Sequence, residues 1–277
     1  MKKKLFILTF CFLAIFSTVS AQHEFSVNAF GGLQPLNLTL SNNGSNSGSF
    51  GIGAGVGYNY NFNQNWSIGT GADFSFYNAS LKYNKFEDIH IGYDDSGKCD
   101  FTFMPKTDAF SEDISALLLE VPLTLRYSLP FGETGNSLRF IGGFKFGFPL
   151  NCSYSTSFHN LHAEGTYEFE NQTYNFNEVF KMVTTGKHSG SWDAKLSIQL
   201  TLEAAYRFAI GTKSGLSVGV YFNYGLNDIQ NKKDMHPIAF DVNSSKMYIT
   251  NSLLNSNFTS SLKPMAVGLK LRFDFGQ

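Results

Sequence analysis

Apolar and polar residues alternate with a period of two in eight segments of this chain. In the clearest, residues 196–208, every second position from Leu196 to Phe208 is apolar, and Gln199 and Glu203 lie among the polar positions between them. Successive side chains of a β-strand point to opposite faces, so such a segment has one apolar wall and one polar wall. The other segments are residues 24–40, 50–62, 66–76, 117–129, 138–150, 216–226 and 267–275. The pattern predicts eight β-strands, and a shift of phase near Pro35 indicates a bulge or kink in the first.

The connections between these segments alternate in length. The short, turn-rich links are residues 63–65, 130–136 and 210–215, and the long links are residues 41–49, 82–113, 153–193 and 228–261. In an up-and-down arrangement all short links fall at one end and all long links at the other. The sequence therefore predicts an all-β fold, an eight-stranded antiparallel up-and-down β-barrel, with both termini at the end that carries the short turns.

The N-terminus has the pattern of a secretory signal peptide. Lys2, Lys3 and Lys4 precede an apolar run at 5–15, and small residues at 17–21 supply a peptidase site. We expect residues 1–21 to be removed on export, which leaves 22–277 as one barrel domain; the alternative is an uncleaved membrane anchor. Loss of these three lysines from 21 basic residues, against 22 acidic ones, leaves a net charge of about −4, which argues against a nucleic-acid partner.

Three features favour a transmembrane barrel over a soluble one. After residue 21 no run approaches the roughly 18 apolar residues of a membrane-spanning helix. The chain nevertheless contains 29 Phe and 13 Tyr, a composition that suits β-strands with aromatic side chains facing lipid. The apolar walls of eight long strands are too bulky for the interior of so small a barrel, so we expect them to face lipid. Aromatic residues also lie near both ends of the strands, where interfacial girdles occur. We therefore expect the barrel to span the bacterial outer membrane, with short periplasmic turns and long extracellular loops.

Two segments resemble a known family. Residues 117–127, LLLEVPLTLRY, match the pattern (Y/L)-L-E-(I/V)-P-L-x-L-(K/R)-Y of the outer-membrane β-barrel proteins of Bacteroidetes, the PorT-like group. Residues 267–275, VGLKLRFDF, are similar to the last strand of that group. The resemblance implies a Gram-negative outer-membrane barrel whose partners are outer-membrane lipid, lipopolysaccharide and the barrel-assembly machinery. It implies little about an activity.

The polar walls carry ionisable residues that would face the lumen of the barrel. They are Glu120, Arg126, Arg139, Lys145, Glu203, Arg207, Lys270 and Arg272. One interpretation is an anion-selective conduit, and the other is a network of salt bridges that fills the lumen. Because eight strands leave room for side chains rather than for a channel, the sequence favours the filled lumen.

The long loops contain most of the candidate binding residues. They hold the histidines His90, His159, His162, His188 and His236 and an acidic patch of Glu87, Asp88, Asp94 and Asp95. The H-x-x-H at 159–162 has no third ligand at a defined spacing, so no metal site is predicted. The acidic patch is either a solvated surface or a contact for divalent cations or lipopolysaccharide. A disulfide between Cys99 and Cys152 is possible after export.

The predicted function is a structural, adhesive or recognition role carried by the extracellular loops, with a possible extracellular ligand. No nucleophile motif accompanies the loop histidines, so no catalytic residues, cofactor or enzymatic activity are predicted. Two alternatives remain open on the sequence: an outer-membrane lipid or lipopolysaccharide hydrolase, and a narrow, porin-like pore for small solutes.

Overall fold

The computed structural model describes residues 23–41, 44–94, 97–131, 135–167, 172–211 and 213–276. The expected signal peptide at 1–21 lies outside these residues, as does Asp95 of the acidic patch. Most of the described chain is β-strand. None of the helices in these described ranges is long and apolar enough to cross a bilayer.

The strands and helices are numbered here in chain order. They are β1 (His23–Leu33), β2 (Leu36–Leu40), β3 (Ser45–Ser47), β4 (Phe50–Asn61), β5 (Trp66–Tyr83), β6 (Phe86–Glu87), β7 (His90–Asp94), β8 (Cys99–Thr107), β9 (Ala109–Phe131), β10 (Asn136–His159), β11 (His162–Tyr167), β12 (Gln172–Asn175), the helix α1 (Phe176–Phe180), β13 (Gly186–Ser191), β14 (Ser197–Ile210), β15 (Ser214–Gly225), β16 (Ile238–Phe240), β17 (Tyr248–Thr250), the 3₁₀ helix η1 (Leu253–Asn255) and β18 (Thr259–Phe275). The chain therefore contains more strands than the alternation predicts, because the long connections form strands of their own.

The longest strands form a closed antiparallel ring. Its order is β1, β4, β5, β9, β10, β14, β15 and β18, and β18 pairs back with β1. The closing pair runs from Phe25 opposite Phe275 to Leu33 opposite Val267. Pro35 separates β1 from β2, which continues to pair with β18. Closure gives each strand of the ring two hydrogen-bonded neighbours, so no row of unpaired N–H and C=O groups is left at an edge.

The ring has polar side chains on its inner face and apolar side chains on its outer face, the reverse of a water-soluble β-sheet protein. On the inner face Ser26, Asp73 and Arg139 are buried, whereas Val27 and Phe140 on the outer face are exposed. The exposed residues are apolar along every strand of the ring because the period of two sends alternate side chains outward. A continuous apolar belt of this kind is stable where the surrounding medium is itself apolar.

Strands β5, β9 and β10 are longer than the sequence pattern predicts. The expected segments, 66–76, 117–129 and 138–150, end with the apolar wall, but the hydrogen-bonded ladder continues. Along this extra length the outer face is polar, and Asn78, Ser115 and Ser153 lie opposite one another. We call this polar extension of the ring the neck. It lies on the side of the long connections.

A bulge changes the phase of β10 at the start of the neck. The pairing with β9 shifts between Pro149 and Asn151, so that Cys152 turns inward opposite Ala116 and is buried as a thiol. Cys99 begins β8, in a different sheet. In the structure the two cysteines are not joined by a disulfide. The alternation of the sequence does not reveal the bulge that turns Cys152 inward.

The long connections expected as irregular loops contain a second sheet, which we call the loop sheet. In it β8 pairs with β6, β7 and β11, and β11 pairs with β12. An aromatic core holds it together: Phe176 of α1 and Phe240 of β16 contact Phe101 and Phe103 of β8, with ring centroids 5.1–5.8 Å apart. Because these rings come from three different long connections, their packing joins those connections into one body.

Candidate functional site

The inside of the ring is filled at the end that carries the short links by buried ion pairs. The guanidinium of Arg139 donates to Glu24 Oε2 at 3.0 Å and to Asp274 Oδ2 at 2.6 Å. Arg126 also pairs with Glu24, and Ser217 donates to Asp274. The pairs are charge-assisted hydrogen bonds between side chains of β1, β9, β10 and β18, so they link opposite walls of the ring.

A second cluster of charges lies deeper in the ring. Lys145 lies 3.1 Å from both Asp73 and Glu120, while Glu203 is 3.6 Å from Lys270 and 2.8 Å from Arg272. Asp73 also lies within 3.9 Å of Lys270, so the two halves form one network. Each charge has a partner of opposite sign, as a buried charge requires.

Aromatic side chains pack against these charges inside the ring. Phe30 meets Tyr221 edge to face at 5.4 Å, and the ammonium groups of Lys145 and Lys270 lie 5.2 and 5.3 Å from its centroid. Tyr77 donates to Glu120 at 2.8 Å. These cation–π and hydrogen-bonded contacts hold Phe30, Tyr221 and Tyr77 beside the charges inside the ring.

The eight ionisable residues that the sequence places on the polar walls all lie inside the ring: Glu120, Arg126, Arg139, Lys145, Glu203, Arg207, Lys270 and Arg272. Three further carboxylates complete the network: Glu24, Asp73 and Asp274. The period of two also puts them on polar positions of alternating segments, at 24–40, 66–76 and 267–275, and of the three only Glu24 is not predicted from the sequence as a polar-wall residue.

A third buried polar group lies inside the neck. Glu112 of β9 accepts hydrogen bonds from Thr156 at 2.7 Å, from Ser252 at 2.7 Å and from the backbone N–H of Leu253 at 3.0 Å. Through these contacts the carboxylate ties η1 of the last long connection to the ring wall. Three donors for one carboxylate explain how a fully buried acid is accommodated there.

The loop histidines do not form one group. His159 of the H-x-x-H contacts the hydroxyl of Thr185 at 3.1 Å, and His162 is exposed at the start of β11. Within the described residues, the one group of three or more His, Cys, Asp or Glu side chains close enough to share an ion is Asp88, His90 and His236. The sequence analysis identifies Asp88 as part of an acidic patch and the two histidines as loop residues, but it does not predict that the three are close in space.

Asp88 lies between the two histidines in the short link from β6 to β7. Its Oδ2 is 2.9 Å from His236 Nδ1 and 3.4 Å from His90 Nδ1, and the imidazole rings stack with centroids 3.8 Å apart. Burial by itself would raise the pKa of Asp88, but contacts with His90 and His236 outweigh that effect and lower the pKa below its usual range. The carboxylate is therefore ionised at neutral pH, and its Oδ2 faces the Nδ1 atoms of both stacked imidazoles.

A closed antiparallel ring with an apolar outer face and an ionic interior defines the class of outer-membrane β-barrel proteins. The chain belongs to the family described as outer membrane protein beta-barrel domain, whose model matches residues 17–231. The protein is located in the outer membrane, as the sequence predicts. Among curated proteins none matches this chain.

The solved structures that this chain matches share little sequence with it. The outer membrane protein OprG from Pseudomonas aeruginosa is 9% identical, with 93% of this chain and 97% of that chain covered and a TM-score of 0.40. Neisserial surface protein A is 9% identical over 93% and 98%, with a TM-score of 0.35. Ail of Yersinia pestis, solved with the heparin analogue sucrose octasulfate, is 11% identical over 92% and 99%, with a TM-score of 0.29.

Proposed function

We propose that the ring is an eight-stranded up-and-down barrel that spans the outer membrane, with its short turns and both termini in the periplasm. The change of the outer face from apolar to polar at the neck supports this orientation, because the neck lies on the side of the long connections. We also infer membership of the PorT-like group of Bacteroidetes, supported by the sequences at 117–127 and 267–275.

We propose that this barrel recognises a protein partner at the cell surface through its loop sheet. The observation that carries the proposal is an apolar edge on that sheet. Ile89, Ile91 and Tyr93 alternate along the edge and are between 57% and 74% exposed. Ile91 and Tyr93 belong to β7, which Ile89 directly precedes, and β7 pairs only with β8 among the described residues. An exposed apolar strand with one unpaired edge favours a protein partner, which can add main-chain hydrogen bonds and cover the side chains.

The loop sheet is ordered by its own core before any partner arrives. Phe101, Phe103, Phe176 and Phe240 pack together, and Phe86 stacks on Phe110 of the ring at 4.7 Å. A preordered surface loses less conformational entropy on binding than flexible loops do. The packing therefore supports a division of roles in which the loop sheet binds the partner and the barrel is the rigid scaffold that carries it.

The recognition proposal is tested by adhesion. Cells of a Gram-negative host that display the full chain are expected to be retained on at least one surface coated with fibronectin, collagen, laminin or mucin. Joint replacement Ile89→Ser, Ile91→Ser and Tyr93→Ser is expected to reduce retention about tenfold, because buried apolar and tyrosine anchors dominate such contacts.

The matched control for adhesion removes exposed apolar residues elsewhere. Val179 and Val183 are also exposed, so the pair Val179→Ser and Val183→Ser should retain full adhesion. Surface amounts are equalised by labelling intact cells. Equal retention of displaying and empty cells on all four coatings contradicts the proposal, as does an equal loss in both sets of variants.

The filled interior predicts that the barrel does not conduct. Arg139 pairs with Glu24 across the lumen, and Lys145 with its carboxylate partners and the ring of Phe30 occupies the lumen farther along, so side chains take up the space that a channel would need. Folded protein in planar bilayers should give no steady single-channel current in concentrated KCl. A sixteen-stranded porin reconstituted in parallel is the positive control. Regular current steps from samples that shift on heating in a gel would show that the lumen opens and would favour the pore.

A further inference from the structure

Asp88, His90 and His236 bring three ligand atoms together on the loop sheet. The carboxylate oxygen and the ring nitrogens all lie within 4.8 Å of one another. Asp88 and His90 belong to the connection between β5 and β9, whereas His236 belongs to the connection between β15 and β18. A ligand held by all three would therefore join two separate extracellular connections.

His90 supplies a second, independent observation. Its side chain is only 7% exposed, and Nδ1 is buried without a hydrogen-bond partner, although it faces Asp88 Oδ2 at 3.4 Å. Phe103 packs edge to face on its ring at 5.3 Å and fixes its orientation. Buried polar atoms are normally paired, so an orphaned imidazole nitrogen aimed at a carboxylate indicates a missing partner between them.

We propose that Asp88, His90 and His236 form a site for a divalent transition-metal ion of the zinc class. Two imidazole nitrogens and one carboxylate suit zinc and its neighbours, whereas calcium and magnesium prefer oxygen ligands alone. Oδ1 of Asp88 accepts from the N–H of Ile89 at 2.8 Å, whereas Oδ2 faces both imidazoles. Oδ2 would therefore bind the ion, which would replace the hydrogen bond that now joins Oδ2 to His236 Nδ1. With three protein ligands, the fourth position of a tetrahedral ion is left to water or to a group on a partner.

One separation between the ligand atoms fits such an ion, and the other must widen. Bonds of about 2.0–2.2 Å at tetrahedral angles place two ligand atoms roughly 3.4 Å apart. Oδ2 of Asp88 lies 3.4 Å from His90 Nδ1, which matches, but 2.9 Å from His236 Nδ1, a hydrogen-bond length that must increase when the ion binds. The rings are within 13° of parallel, so their lone pairs converge only after one ring tilts. His236 has the room to do so, because its side chain is 45% exposed while that of His90 is fixed.

The test is a zinc titration of the full mature protein, folded in detergent and freed of any affinity tag. Calorimetry and competition with a fluorescent chelator are expected to give one site per chain. His236→Ala should weaken zinc binding by more than about tenfold, as loss of a ligand or its immediate support does. Hydrogen exchange should show zinc protecting residues 86–94 and 234–238 together, and this protection should be absent in the variant.

Two variants separate ligation from folding. Asp88→Asn keeps the size of the side chain and should also lose the site, whereas His188→Ala, at an exposed histidine of β13, should bind zinc as the unmodified chain does. Each sample is first checked for the gel shift on heating. Equal zinc affinity in the unmodified chain, His236→Ala and Asp88→Asn overturns the proposal. Displacement of zinc by an equal concentration of calcium overturns the assignment to the zinc class.

Discussion

Replacing Arg139 by methionine is expected to lower the unfolding free energy of the barrel by about 3–5 kcal/mol, the usual cost of breaking a buried ion pair by removing one partner. The side chain is 2% exposed and holds two carboxylates, Glu24 and Asp274, on β1 and β18. Those strands meet at the closing pair of the ring. Without the guanidinium Asp274 loses its nearest cation, since Arg207 is 4.0 Å away.

The measurement is urea unfolding in lipid vesicles, followed by tryptophan fluorescence and by the gel shift on heating. Lys82→Met is the matched control, because Lys82 is a cation on the exposed face of the neck and its removal should change stability by less than about 0.5 kcal/mol. The double variant Arg139→Met and Asp274→Asn should recover part of the loss, since it also removes the uncompensated charge. Equal stability of Arg139→Met and Lys82→Met would contradict a structural role for the buried pairs.

The ring could be predicted from sequence because its two faces meet different media. Lipid outside and charged groups inside impose a period of two, so residues 196–208 predict the strand that the structure gives as Ser197–Ile210. The identity of each ion pair does not follow from that period. Whether Arg139 meets Glu24 or Glu203 depends on the stagger and tilt of strands far apart in sequence.

The neck and the loop sheet were missed for a different reason. In the neck the apolar side chains lie on the inner face, as at Leu81 and Phe110, and the outer face is polar, as at Lys82. The alternation therefore continues in the opposite phase, and the apolar outer wall that signals a membrane strand ends there. The loop strands are short, and the sheet is held by contacts between separate connections, such as Phe101 with Phe240. Local sequence does not encode those contacts.

The cluster of Asp88, His90 and His236 shows the same limit at a single site. The first two residues are near neighbours, but His236 is 148 positions from Asp88 along the chain. Spacing rules for metal ligands detect sites built within one segment, such as the H-x-x-H at 159–162. Among the residues that the structure describes, no third ligand joins these two histidines. The grouping appears only when packing of the loop sheet brings two connections together.

A methyl group at Gly268 is expected to prevent normal closure of the barrel. Gly268 of β18 pairs with Gly32 of β1, and a Cβ atom there would lie 2.1 Å from the carbonyl oxygen of Gly31 and 2.8 Å from Gly32 Cα. All these neighbours are backbone atoms of the closing pair, so no side chain can rotate away and the strands must separate. Overpacking of this kind costs about 1–3 kcal/mol, and here the strain falls on the hydrogen bonds that close the ring.

The experiment compares Gly268→Ala with Gly142→Ala during folding from urea into vesicles. At Gly142 the added carbon meets only Leu202 Cδ2 at 3.5 Å, an ordinary contact, so that variant should fold with the yield and stability of the unmodified chain. Gly268→Ala should lose stability and fold in lower yield, as measured by the fraction that shifts on heating. The two glycines lie in strands of the same ring, so the difference in strand propensity between glycine and alanine affects both variants alike. Matching yields and unfolding midpoints would show that β1 and β18 do not approach as closely as Gly32 and Gly268 require.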